Sequence, residues 1–347
     1  MSETIRLCKS LDLIAIVPYL LGFHPTASLV ILGFREDSFT VGIRHDLPRD
    51  CDELTEVIAG SLSVLIREKA GAIGVIGYGP AGLVTPVLDG LREAVAMTDI
   101  ELLDILRCEN NRYWHHPDIG PADGTPYDIT TSQAAAGAVA AGRIAFPDEA
   151  AMAACLRSVD GPERDAVRAA TCTARARAES LLATATPRFW YEEGLACVRR
   201  AFERHLAGEP ITPEEMAWLG VLLTSIAVRD ASITLFHAYP GPAHIELWSE
   251  VVRRVESGYI AAPATLLALA AYGTGAGPLA RIAVDRALGD NAAYSMARLV
   301  DCGLSNGVPP SAVHHMHANV TAEEIEAGVE RHPRLALPQL PPSVEGR

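Results

Sequence analysis

Two regimes of hydrophobic patterning succeed each other along the chain. In the first ~145 residues, short apolar runs alternate with apolar positions at helical spacing. Residues 11–21 (LDLIAIVPYLL) read as an apolar helix ended by Gly22. Residues 28–34 (SLVILGF) are continuously apolar, as a strand buried on both faces is. Residues 39–47 (FTVGIRHDL) alternate more and are expected to pair with that strand across a turn at 35–38. Residues 50–52 supply a cap region, and 53–70 repeat apolar positions every three or four residues up to Gly71. A second buried strand is expected at 72–78 (AIGVIGY), broken by Gly79 and Pro80 and followed by a helix at 84–97. Residues 100–108 read as a strand continued by 111–114 after an Asn-Asn turn. The order α-β-β-α-β-α-β-β predicts a layered α/β domain whose sheet is at least partly parallel. Residues 115–127 hold three prolines and two glycines and read as a loop.

Beyond residue 129 the strand signals fade. Ala-rich helical segments follow at 148–159, 162–185, 187–207, 213–235, 244–257, 263–272, 278–288, 292–304 and 322–331. Proline recurs at or near their first positions, where its missing N–H costs nothing. The expected organisation is an α/β domain at 1–145, an all-α domain at 146–335 and a disordered tail at 336–347. In residues 266–310, Ala270, Ala271, Ala280, Ala283 and Ala287 stand where two antiparallel helices need close approach. That pattern predicts one tetratricopeptide-like hairpin, not an array.

Charge narrows the choice of partner. Lys and Arg number 29 against 43 Asp and Glu, a net charge of −14. Coating nucleic acid or an anionic membrane requires clustered cations, so both partners are disfavoured. Arg164, Arg168 and Arg175 share a helical stripe, which reads either as a DNA-facing helix or as an ordinary solvated face. The seven cysteines are scattered without a C-x-x-C pair, as in reduced cytosolic proteins. No run reaches the ~18–20 apolar residues of a membrane span, and residues 1–10 lack a secretory pattern, so a soluble cytoplasmic chain is expected. No cofactor and no metal site are expected. His314, His315 and His317 cluster near the C-terminus, but a metal needs several converging donors.

Several segments in order resemble an actinobacterial family, the domain of unknown function 4192. They are IVPYLLGFHPTASLVILGF, VIGYGP, the RYW…GTPY loop, AVAAGR read as a helix start at 138–143, VRDA at 228–231, Trp248 with Arg253, and PLARIAVDRAL. The resemblance covers about residues 10–310. It implies a bacterial cytoplasmic protein with an α/β front and a helical back, and no known reaction. The family pattern carries cysteines in the loop after RYW, where this chain has His115, His116, Pro117, Asp118 and Ile119.

Each candidate site has two readings. Gly22, His24 and Ser28 form either a ligand-contacting turn or a helix cap. Gly77, Tyr78 and Gly79 follow a buried strand and precede a helix, as a phosphate cradle or as a tight connection. Arg112 and Trp114 either line a pocket or seat the loop that follows. Arg229 and Asp230 interrupt an apolar helix, as an anion site or as an ion pair that avoids an unpaired buried charge, with Asp285 and Arg286 as candidate partners. No nucleophile elbow or H-E-x-x-H motif is present. The expected function is therefore a non-catalytic protein- or ligand-binding scaffold, its partner a protein or a small anionic ligand. The alternative is an enzyme on a small phosphorylated or nucleotide-like substrate, sited between residues 33–34, 77–82 and 112–127.

Overall fold

A computed structural model describes residues 10–36, 38–117, 119–318 and 321–342, leaving aside the side chains of 316–318. The expectations for residues 1–9, Asp118, the ring of His317 and residues 343–347 lie outside the described residues. The chain divides into two compact units, Met1–Met152 and Ala153–Arg347.

The first unit contains α1 (Ser10–Leu21), β1 (Ser28–Arg35), β2 (Ser38–Asp46), α2 (Cys51–Arg67), β3 (Ala72–Tyr78), α3 (Ala81–Val95), β4 (Glu101–Glu109), β5 (Arg112–His115), β6 (Thr125–Pro126) and α4 (Gln133–Ala140). α5 (Glu149–Ala154) spans the division. Local chemistry explains the element ends. Asp50 caps α2 by accepting from the Glu53 amide, and Asn110 and Asn111 turn β4 into β5, both at positive φ.

The strands form one mixed six-stranded sheet in the order β2-β1-β3-β4-β5-β6. Only β3 and β4 are parallel. β2 connects through α2 to β3, and β1 lies between those two strands, antiparallel to both. This split β-α-β arrangement fixes which loops share an end of the sheet. Ser28 lies opposite Tyr78, whereas Gly33 lies opposite Ile73 at the other end. The crevice expected between residues 33–34 and 77–82 is therefore not formed. A hydrophobic run reveals a strand but not its direction.

One sheet face packs on α2 and α3 through Leu29, Ile31, Ile73, Val75, Ile105, Leu65 and Leu88. The other packs on α1, where Leu13 fills the space over Gly74. The segment 138–143, expected to start a helix, instead ends α4 at Ala140.

The second unit is helical: α6 (Pro162–Leu182), α7 (Pro187–Ala207), α8 (Pro213–Leu223), α9 (Ile226–Thr234), α10 (Gly241–Arg254), α11 (Ala261–Gly273), α12 (Gly277–Asp290), α13 (Ser295–Ser305), α14 (Pro310–Ala318) and α15 (Ala322–Arg331). α14 was not expected. The single helix expected at 213–235 is two, bent by 104°. The break sits at Thr224 and Ser225, whose hydroxyls bond to Val221 O and the Val228 amide. α8 and α9 together have the length and apolarity of a membrane span, but all of 216–223 is buried in the bundle. Among the described residues no single helix is long and apolar enough to cross a membrane.

α11 is buried along residues 261–272 and packs on α10 and α12. Ala270, Ala271, Ala280, Ala283 and Ala287 are all buried in the α11–α12 hairpin. Asp290, at the end of α12, closes the start of that hairpin. Its carboxylate accepts from the amides of Gly258, Ile260 and Ala261. The segment expected as a disordered tail stays attached as far as 341: Pro338 is buried and Arg175 donates to Pro341 O at 2.6 Å.

Candidate functional site

The pairing of the strands brings three of the sequence-marked segments to one end of the sheet. Residues 22–28 enter β1 there, residues 78–79 leave β3, and Arg112 begins β5 opposite Glu109. Arg229 and Asp230 belong to the second unit.

At the entering turn, Gly22 ends α1 at φ +82° with its amide on Pro18 O, and its carbonyl accepts from Phe146 N. The helix-cap reading describes this glycine. Ser28 is fully buried; its hydroxyl donates to Thr26 O and accepts from Arg44 Nε. His24 is half-buried, and its amide donates to Phe146 O.

Gly77 is not a ligand cradle. A Cβ there would lie 2.3 Å from Val84 Cγ1, so the glycine lets α3 seat on the sheet. Gly79 turns the chain at φ +144°, a backbone region suited to glycine. Tyr78 points to the opposite face. It is 8% exposed, and among the described residues its hydroxyl has no hydrogen-bond partner. Cys108 lies beside it in the ladder, with Tyr127 nearby. Burial pushes the Cys108 thiol up to about 12 and raises both tyrosines. All three groups are therefore neutral at physiological pH, which suits packing and not nucleophilic attack.

Arg112 and Trp114 share the α3 face and hold the loop. Arg112 Nη1 donates to Asp123 O and Gly124 O, both at 3.0 Å, and Trp114 Nε1 donates to Ala122 O at 3.1 Å. Gly124 lies flat on the indole: a Cβ would meet Trp114 at 2.4 Å. Arg107 stacks on the other side of the ring, 3.7 Å from its centroid. The loop-seating reading accounts for every one of these contacts.

Arg229 is 6% exposed and is paired with its neighbour Asp230 at 2.6 Å. Tyr294 completes the site by accepting from Nη1. Burial works against the guanidinium charge, but Tyr294 and Asp230 outweigh it and leave the pKa raised. The ion pair is thus local; Asp285 and Arg286, expected across the bundle, do not supply it. Arg286 donates instead to Ser158. Arg164 and Arg168 of the basic stripe face Glu256, and Arg175 faces Glu179.

A family model described as a domain of unknown function (DUF4192) matches residues 11–311. The chain belongs to this family. No curated protein and no solved structure matches it. The DUF4192 match spans both units, from α1 to the start of α14, so the sheet end and the Arg229 pair both lie inside the family's region.

The α1 face of this DUF4192 protein also carries a constellation that sequence reading missed. Asp104 Oδ1 is 3.0 Å from His115 Nδ1, and Asp104 Oδ2 accepts from Ser10 Oγ at 2.6 Å. His115 is the more open partner, its side chain 39% exposed against 18% for Asp104. The neighbouring His116 is held by Asp89 of α3 at 3.0 Å. The available signal was Asp104 inside an apolar strand, on the same face as Leu106 and Cys108 by alternation. Its partner cannot be read locally, because it arrives through the β4–β5 hairpin. Among the described residues no group of three or more His, Cys, Asp or Glu is placed to hold a metal ion.

Proposed function

We propose that this protein is a non-catalytic scaffold of the bacterial cytoplasm that binds a protein partner or a small anionic ligand. One observation carries the proposal: the polar groups best suited to chemistry are already engaged within the chain. Arg112 and Trp114 hold loop carbonyls, Arg229 holds Asp230 and Tyr294, and Cys108 is kept as a neutral thiol. The all-buried α11 and its hairpin partner α12 add a rigid helical framework of the kind that presents binding surfaces. Its cytoplasmic setting is supported by free cysteines and by the absence of a membrane-length helix among the described residues. A thermal-shift screen with nucleotides and phosphorylated metabolites, beside gentle affinity capture from native cells, tests the proposal. A ligand at 100 times its Kd adds about 2.7 kcal/mol of stability. The proposal expects a stoichiometric partner, or an anion that is bound without being converted. Turnover of any compound in the screen would overturn it.

The alternative, an enzyme on a small phosphorylated substrate, is favoured by the Asp104–His115 pair. A carboxylate on Nδ1 orients an imidazole so that Nε2 faces outward as a general base. This alternative expects His115→Ala to abolish turnover of a substrate found in the same screen.

A further inference from the structure

We infer that the β2 edge of the sheet is a docking site for a second copy of this chain, which adds its own β2 antiparallel and joins two six-stranded sheets into one. The two edges of the sheet are built differently. The β6 edge is two residues long and contains Pro126, the usual way to blunt an edge. The β2 edge runs for nine residues, 38–46, with neither Lys nor Pro. It carries one irregularity, near Thr40.

The phase of the β1–β2 ladder identifies the outward groups. Leu47 N bonds to Ala27 O, and the pairs 45/29, 43/31 and 41/33 continue the same phase. In an antiparallel ladder the alternate residues point N–H and C=O away from the partner. These are Gly42, Arg44 and Asp46. Among the described residues, no backbone or side-chain hydrogen bond reaches their outward amides or carbonyls. An open row of this kind fits an extended backbone added as a further strand.

Charge and side-chain size favour a second copy as that backbone. With Gly42 opposite Gly42, Val41 of each copy faces Ile43 of the other, and Thr40, the residue at the irregularity, ends the matched stretch. No like charges oppose each other, and β-branched pairs are among the favourable cross-strand contacts. The only cation on the edge is already neutralised: Arg44 pairs with Asp46 at 2.7 Å and Glu149 at 3.1 Å. It therefore does not act as the gatekeeper charge that keeps free edges apart. Phe39, 45% exposed, lies over Gly42, beside the axis of such a pair.

Sedimentation velocity of the full chain over a concentration series tests this, with Gly42→Lys and Gly42→Asp as charge variants. A Cβ at Gly42 meets the far end of the Phe39 ring at 3.3 Å and Leu32 Cδ2 at an ordinary 3.9 Å, so both variants are expected to fold, checked by circular dichroism. The wild type is expected to dimerise. Each variant alone should associate at least about tenfold more weakly, because like charges meet on the axis. Mixing the two variants should restore the dimer. A wild type that stays monomeric at the highest concentration, or a dimer unaffected by both substitutions, would overturn the inference.

Discussion

At the scale of single residues, several positions that look chemical are constrained by packing. Gly77 illustrates this. Its place between a buried strand and a helix suggests a phosphate cradle, but that pattern cannot show that Val84 occupies the space where a side chain would go. Gly77→Ala should destabilise the protein by about 1–3 kcal/mol through overpacking, measured by urea denaturation. Tyr78 is the opposite case. Its buried hydroxyl lacks a partner among the described residues, and an unmet polar group of this kind costs about 1–3 kcal/mol. Tyr78→Phe is expected to leave stability unchanged or to raise it, and a clear loss would mean that the hydroxyl is satisfied in solution. Cys108 adds a pH dependence. Its thiol is raised from 9.0 to about 12 in the folded chain, so the folded state holds the proton more tightly than the unfolded one. The resulting stability is full below pH 9 and declines as pH rises from 9 towards 12. Cys108→Ala should flatten that decline in a series of denaturation curves. At pH 8, a thiol reagent should label the exposed Cys51, Cys172 and Cys302 well before Cys108 or Cys197.

At the scale of elements, hydrophobic period and cap residues were legible wherever the signal was local. The strand at 28–34 and the helix at 187–207 fall where their patterns place them, because an apolar run or a Thr-Pro start is visible within a few residues. The break in 213–235 was hidden because apolar residues continue on both sides of it, and only the hydroxyls of Thr224 and Ser225 mark it. α14 was missed because its histidines were weighed only as metal ligands, and its few apolar residues give no helical spacing. Asp290 was invisible for another reason: it serves an element 30 residues earlier. Three amides at the start of α11 depend on it, so Asp290→Ala should cost about 1–3 kcal/mol, with Asp290→Asn recovering part of the loss. Hydrogen exchange should show the loss first at Ile260 and Ala261. Unchanged exchange there would mean that the cap contributes little to the hairpin.

At the scale of the whole molecule, the division into an α/β front and a helical back was legible in the change of period, and the family match covers both parts. Strand direction was not legible. The order α-β-β-α-β-α-β-β is compatible with several sheets, and only the pairing of β1 between β2 and β3 sends residues 33–34 away from residues 78–79. Residues 22–28, 78–79 and Arg112 meet at one sheet end, while Arg229 and Asp230 form a pair in the other unit. The account's central claim is that the conspicuous polar residues hold the chain together and do not act on a substrate. Arg112 tests it most directly, because among the described residues its guanidinium bonds only to the 123–124 carbonyls. Equilibrium denaturation of the unliganded Arg112→Ala protein should show a loss of about 1–3 kcal/mol. A variant as stable as the wild type, but no longer stabilised by an anion that stabilises the wild type, would contradict the claim.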